Sequence, residues 1–283
     1  MTRPVAAETR DGRAAEVVVM DAKAGTLRLT NRELALLTDL VIDPAAAAPE
    51  LERERSRLQE AGALDGARLA PFVKSLVETI ARPQLRLMIE LSRGDGAGAC
   101  LAWGTSDQVV LGVPDEERDE PGFALSALEP AALPLTLMSL AGMGRRPVPL
   151  QGSILEVRRA DLDEAGAAVQ SGDRARLDAV LTRAVAEEAG RNDLAVLLAK
   201  RIGSWRLSAV WADEAGERHA GELTVIDAGE AGLWRCELPA GVDRLDPDLR
   251  LTLTPVAPSR VFALVLGLLP FRSRGDATAL ERP

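Results

Sequence analysis

The chain has no tyrosine, one histidine and two cysteines, and aromatic residues make up only 3% of it. Each scarcity excludes something. With one histidine, any Ser-His or Cys-His nucleophile pair has to use His219. That residue stands in Glu217-Arg218-His219-Ala220, at the edge of an acidic turn, and nothing else points to it as a base, so an exposed loop histidine is expected. Cys100 and Cys236 are far apart and lack CxxC spacing, so neither a metal site nor a disulfide framework is expected. They read as small strand hydrophobes in a reducing cytoplasm, although their equivalent β-regions leave open that they approach each other. An excess of positive charge is also missing. The formal net charge is −9, which makes nucleic acid and anionic membrane surfaces poor partners. The longest strongly apolar run, Val261–Leu269, falls short of the ~20 residues that span a bilayer. No apolar stretch of ~7–15 residues marks a secretory signal at the N-terminus.

What is present is a pattern written twice. Leu85–Gly144 and Trp205–Leu269 each read as three β-runs followed by an apolar helix. Leu85–Ile89 corresponds to Trp205–Ala209. Cys100–Trp103 and Gln108–Leu111 correspond to Glu222–Ile226 and Leu233–Cys236. Phe123–Leu128 with the helix Pro134–Ala141 corresponds to Leu249–Thr254 with the helix Pro258–Leu266. The copies lie about 120 residues apart, a domain-scale spacing far beyond the ~20–50 residues of a solenoid repeat. Two three-stranded units with open edges are expected to merge into one sheet. The expected fold is therefore α+β: pseudo-twofold duplicated β-β-β-α modules forming a mostly antiparallel central sheet flanked by helical bundles. Its limits are 15–272, with halves 15–147 and 148–272, a hinge at Arg145–Pro149, and tails at 1–14 and 273–283 read as disordered.

Around the modules, Val17–Val19 and Thr26–Leu29 read as short strands, and Asp43–Pro49 as an alanine linker. Thr30 and Glu33 have the spacing of a capping box, which starts a helix running to Val41. Leu51–Gln59 is amphipathic. Leu69–Ile80 carries one apolar face and is stopped by Pro83. The second half opens with helices at Leu162–Gln170, Ala175–Glu188 and Asp193–Ile202, with Ser171 or Asp173 as a cap. The helical preludes of the two copies are expected to differ, so one binding face is expected, on the second copy.

No convergent catalytic set is visible. Gly94-Asp95-Gly96-Ala97-Gly98 lacks the P-loop lysine and leads into no helix, so it reads as a strand link. Asp115–Glu120 reads as a solvated acidic loop. A carboxylate enzyme using Asp227 or Glu222 between the halves is the remaining catalytic alternative. Among the scarce aromatics, Trp205 and Trp211 share a strand face with Leu207 and Ala209, and Trp234 lies on a neighbouring run. Buried core is one reading. The other is a partner-facing patch, where Trp and Arg are common hot spots, with Trp211, Trp234 and Arg235 as the candidate contacts and Arg206 nearby.

The layout as a whole resembles a known family. Leu29-Thr30 with Glu33-Leu34 is followed by Leu51–Gln59, Gly62-Ala63-Leu64-Asp65 and Leu76–Pro83. The first module then ends in Ala132-Leu133-Pro134 and an apolar helix. Ser171-Gly172-Asp173 precedes a long helix, and Val225-Ile226-Asp227 lies in the late β-module before the last helix. From about Thr26 to Pro270 this order is similar to the EspG-type chaperones of actinobacterial type VII (ESX) secretion systems. A Gly-Arg pair commonly follows the Asp-Thr of the late β-module there, whereas Asp227 here is followed by Ala228, Gly229 and Glu230. The resemblance implies a cytoplasmic, non-enzymatic protein without cofactor or metal. It implies a central antiparallel sheet with two helical bundles and a helical PE–PPE-like substrate dimer as partner, bound by a monomer or homodimer. An interaction protein of the same fold without a secretion role is the alternative.

Overall fold

The protein is described by a computed structural model over residues 19–21, 25–43, 51–66, 68–94, 96–116, 120–148, 152–213, 215–239, 241–242 and 246–270. The expectations for both tails, for Val17-Val18, for most of the alanine linker and for Pro149 lie outside these residues. No helix among the described residues is long and apolar enough to cross a membrane.

The chain begins with β1 (Val19–Asp21) and β2 (Thr26–Thr30). On β2 the alternation of Leu27 and Leu29 with polar residues buries one face. Helix α1 (Asn31–Ile42) starts on the predicted capping box: Thr30 Oγ1 accepts from Glu33 N at 3.2 Å, and Thr30 N donates to Glu33 Oε2 at 2.8 Å. Next come α2 (Glu52–Glu60), a small hairpin of β3 (Leu64–Asp65) and β4 (Arg68–Leu69), and α3 (Pro71–Ala81). Helix α3 begins two residues later than expected, because Pro71 suits a first helical turn and Arg68–Leu69 pair with Leu64–Asp65 instead. Then follow β5 (Leu85–Arg93), β6 (Gly96–Gly104), β7 (Val109–Pro114), β8 (Gly122–Leu128) and α4 (Leu133–Leu140).

The second half runs β9 (Leu155–Arg158), α5 (Arg159–Ser171), α6 (Arg174–Ala184), α7 (Glu188–Lys200), β10 (Gly203–Ala212), β11 (Arg218–Asp227), β12 (Leu233–Glu237), β13 (Arg250–Val256) and α8 (Pro258–Gly267). Gly172, at φ +70°, ends α5, and Asp173 caps α6 by accepting from Arg176 N at 3.0 Å. The break between α6 and α7 comes earlier than the expected gap near residue 190.

Each module has four strands, one more than expected, because Cys100–Trp103 and Gln108–Leu111 form separate strands on either side of a turn closed by Thr105 N to Gln108 O. The glycine run is a hairpin, and Gly96 to Gly98 are rungs of β6. All eleven main strands join one sheet, in the order β1-β2-β8-β7-β6-β5-β10-β11-β12-β13-β9, and every neighbouring pair is antiparallel. The order reads outward in the same sense from the β5–β10 seam, with β2 and β9 in matching places. Strand β9 escaped the sequence reading because four residues with two apolar positions give too little periodicity. Among the described residues three helices precede the seam strand of each half, so the expected difference in helical preludes is not found there. The halves differ instead by β1 and the β3–β4 hairpin.

Three cores hold the layers together. Leu85, Leu87, Ile89, Trp205, Leu207 and Ala209 of the seam face α4 and α8. Their neighbours along each strand point to the opposite face. There, α1, α2 and α3 pack on β2, β8 and Val110 of β7, while α5, α6 and α7 pack on β9, β12 and β13. A fully buried leucine in such a core contributes about 1.5–3 kcal/mol. Gly122 permits the close approach of β8 to β2, since a Cβ there would lie 2.2 Å from the Leu29 carbonyl oxygen. Cys100 pairs with Ile89 on the α4–α8 face and Cys236 with Thr224 on the other. The sheet therefore separates the two thiols, and both are free.

Candidate protein-docking site

The two helical clusters sit at the ends of one sheet face and leave its middle open. There the seam strands show Arg86, Met88, Glu90 and Ser92 on β5, opposite Val210, Ser208, Arg206 and Ser204 on β10. Burial alternates along both strands, with leucines hidden beneath and these side chains half-buried or exposed above. Val210 is 49% exposed although it is paired on both sides, with Arg86 and Ala220. Arg206 and Glu90 are direct cross-strand partners and form an ion pair across the seam. Both are about one-third exposed, and a pair so hydrated adds only ~0–1 kcal/mol to stability. Their charge remains available to a partner.

Beside the pair lies a groove of about 660 Å³, floored by Glu90, Arg206 and Thr224 and walled by Arg159 and Asp163 of α5. A second depression of about 460 Å³ adjoins it and shares Glu222, Thr224, Cys236 and Leu238. It opens where β12 ends: β12 pairs with residues 224–227 of β11, and among the described residues 218–223 have β10 as their only strand neighbour. The walls mix apolar surface with both signs of charge. Burial, followed by Glu222 and Glu237, pushes the Cys236 thiol up to about 11, so at neutral pH it is a protonated wall atom and a poor nucleophile.

The three residues singled out from the sequence do not converge. Trp234 is 5% exposed and packs in the core under α5 to α7, so it cannot be a contact residue without unfolding that core. The burial reading holds for it because Ile226 and Pro255 flank it on the covered end of the sheet. Trp211 is half-buried on the α4–α8 face, opposite Leu85, with His219 stacked on it at 4.0 Å. Arg235 pairs across the strand with Val225, also on the α4–α8 side, holds Glu237 at 2.9 Å, and borders the second depression. Arg206 does stand in the open face. Glu90 was not singled out, and its signal was the polar half of the β5 alternation.

The carboxylates of the catalytic alternative do not form a set either. Asp227 is 6% exposed and grips Arg146 through both oxygens, with Arg146 Nη2 at 2.8 Å from Oδ2. It also accepts from Gly229 N at 2.9 Å. This fills its acceptors and ties the inter-half linker to the end of β11. The turn after Asp227, where the Gly-Arg pair is absent, closes by Ala228 N to Gly232 O and leaves Glu230 exposed.

Comparison with known proteins follows this geometry. The Mycobacterium tuberculosis type VII secretion system chaperone EspG5, solved in complex with the PE25-PPE41 dimer, superimposes with a TM-score of 0.55 at 16% identity over 88% of this chain and 98% of that one. At that identity the likeness speaks for the fold. Full-length peroxisomal multifunctional enzyme type 2 from Drosophila melanogaster aligns at 13% identity, over 81% of this chain and 48% of that one, with a TM-score of 0.13 that carries no argument. No curated protein matches the chain. A model of the EspG family matches residues 14–243, most of the length, and this chain therefore belongs to the EspG family.

Proposed function

We propose that this protein is a cytoplasmic, non-catalytic chaperone of type VII (ESX) secretion that binds a helical PE–PPE-like dimer on the open middle of its sheet. The observation that carries the reading is the groove beside Glu90 and Arg206, exposed in a fold like that of EspG5. A strand face that buries leucine below and shows Met88, Val210 and an ion pair above fits a mixed apolar and charged helical tip. A specific complex would bury about 1,200–2,000 Å² in total, more than the groove alone, so α5 and the depression near Arg235 belong to the proposed footprint. Trp211, at the strand end beyond Val210, is kept as a peripheral contact. Family membership and the saturated Asp227 both favour binding over catalysis.

Co-expression with PE–PPE dimers encoded beside this protein, followed by gel filtration and calorimetry, tests the reading. A stable stoichiometric complex is expected. Arg206→Ala and Val210→Asp should each weaken it by about 2 kcal/mol or more, as central contacts do, with unfolding free energies changed by no more than about 1 kcal/mol. Failure to bind any such dimer would sink the function. Full affinity in both variants would sink the site while leaving the function standing.

A further inference from the structure

Away from the groove, the hairpin joining β10 to β11 brings one imidazole and two carboxylates together. Asp213, Glu217 and His219 each offer a ligand atom, and these atoms all lie within 4.8 Å of one another. The turn is closed by Asp213 N to Glu217 O and Gly216 N to Asp213 O, both 3.0 Å, with Gly216 at φ +80°. Asp213 Oδ1 accepts from the backbone N–H of Ala215 and of Glu217, each at 2.9 Å, which fixes the carboxylate and leaves Oδ2 toward His219. The His219 ring is held independently, stacked on Trp211 at 4.0 Å with 24° between the planes. So the two best-placed donors are oriented by partners outside the pair they form, as outer partners orient metal ligands.

The spacing is informative. His219 Nε2 lies 3.3 Å from Asp213 Oδ2, an ion-pair contact in the absence of metal. Two donors bound at ~2.0–2.1 Å to one tetrahedral ion stand about 3.3–3.4 Å apart. Arg218, next along β11, points to the opposite face of the strand, where it pairs with Ala212, so its charge is not aimed at the donors. One nitrogen with two carboxylate oxygens suits borderline divalent ions such as zinc, and three protein ligands leave a position for water.

We propose that Asp213, Glu217 and His219 form a zinc-class divalent metal site at the tip of the β10–β11 hairpin. It lies outside the groove, and metal binding there needs no secretion partner. Bound metal would tie the hairpin tip shut and hold Trp211 against the strand end.

The test is calorimetric titration of the full, untagged, metal-stripped protein with ZnCl2, together with tryptophan fluorescence. Saturable binding at one ion per chain is expected, with a change in emission that Trp211→Phe removes while binding persists. His219→Ala and Glu217→Gln should each weaken binding by at least about tenfold. Asp213 is left intact because it shapes the turn. No saturable binding, or undiminished binding in both variants, overturns the site. Should His219→Ala fold poorly, Glu217→Gln decides alone.

Discussion

The two helical clusters occupy matching ends of one sheet face, yet each is built around a different kind of charged anchor. In the first, Glu33 is fully buried, caps α1 through Thr30, and meets Arg57 at 3.2 Å with Arg57 only 14% exposed. In the second, Asp161 is equally hidden, but its partners Arg158 and Arg183 are 41% and 47% exposed. Arg183 also reaches Glu164 at 2.7 Å, on the surface of α5. The first anchor links two helices to a cap, and Arg57 reaches on to Glu120 at 3.5 Å. The second is a surface network on the cluster that borders the groove. The lesson is that two helical clusters on matching ends of one sheet face need not share the chemistry of their anchors.

Three predictions press on that comparison, in decreasing order of effect. Trp234→Ala should cost about 3–5 kcal/mol, because it empties the core of the second cluster. Urea unfolding measures this, and unchanged stability with lost partner binding would return Trp234 to the interface. Next, Glu33→Ala should cost about 2–4 kcal/mol, since it removes a cap and the fully buried carboxylate that faces Arg57. Asp161→Ala should cost less, about 1–2 kcal/mol, because its arginines can turn to water. The reverse order would break the contrast between the clusters.

The same anchor carries a pH signature. Burial alone would raise the Asp161 carboxyl, but hydrogen bonds from Arg158 and Arg183 outweigh it and hold the group below its ordinary value. A depressed carboxylate contributes stability above its unfolded value, about 3.9, and loses it as pH falls through the folded value. Amide protection in α5 and α6, measured relative to intrinsic exchange, should therefore fall below pH ~4, and Asp161→Asn should flatten that dependence.

The smallest effect is chemical. Burial raises Cys100 as well as Cys236, so at pH 8 both thiols are mainly protonated. A thiol reagent should label them slowly until denaturant is added. Fast labelling of Cys236 in the folded protein would mean that the groove wall opens.

Local order carried much of the fold. Thr30 with Glu33 announces the start of α1, because capping is satisfied within four residues. Pro71, Pro258 and Gly172 set helix ends by backbone geometry alone. The alternation in Leu85–Ile89 and Trp205–Ala209 reports a strand with one buried face, whatever covers it. None of these patterns says which face meets which helix. Residue order could not decide that Trp234 lies under α7's cluster while Arg235, its neighbour, faces the other side near α8. The sheet register decides it, through contacts made far along the chain. Nor could it place Arg206 opposite Glu90, since that pair exists only because the two halves meet at the β5–β10 seam. The strand alternation and the family layout were legible as sequence because both are periodic or local. The open face and its groove were settled only when long-range pairing brought distant strands side by side, a consequence of packing that no single segment encodes.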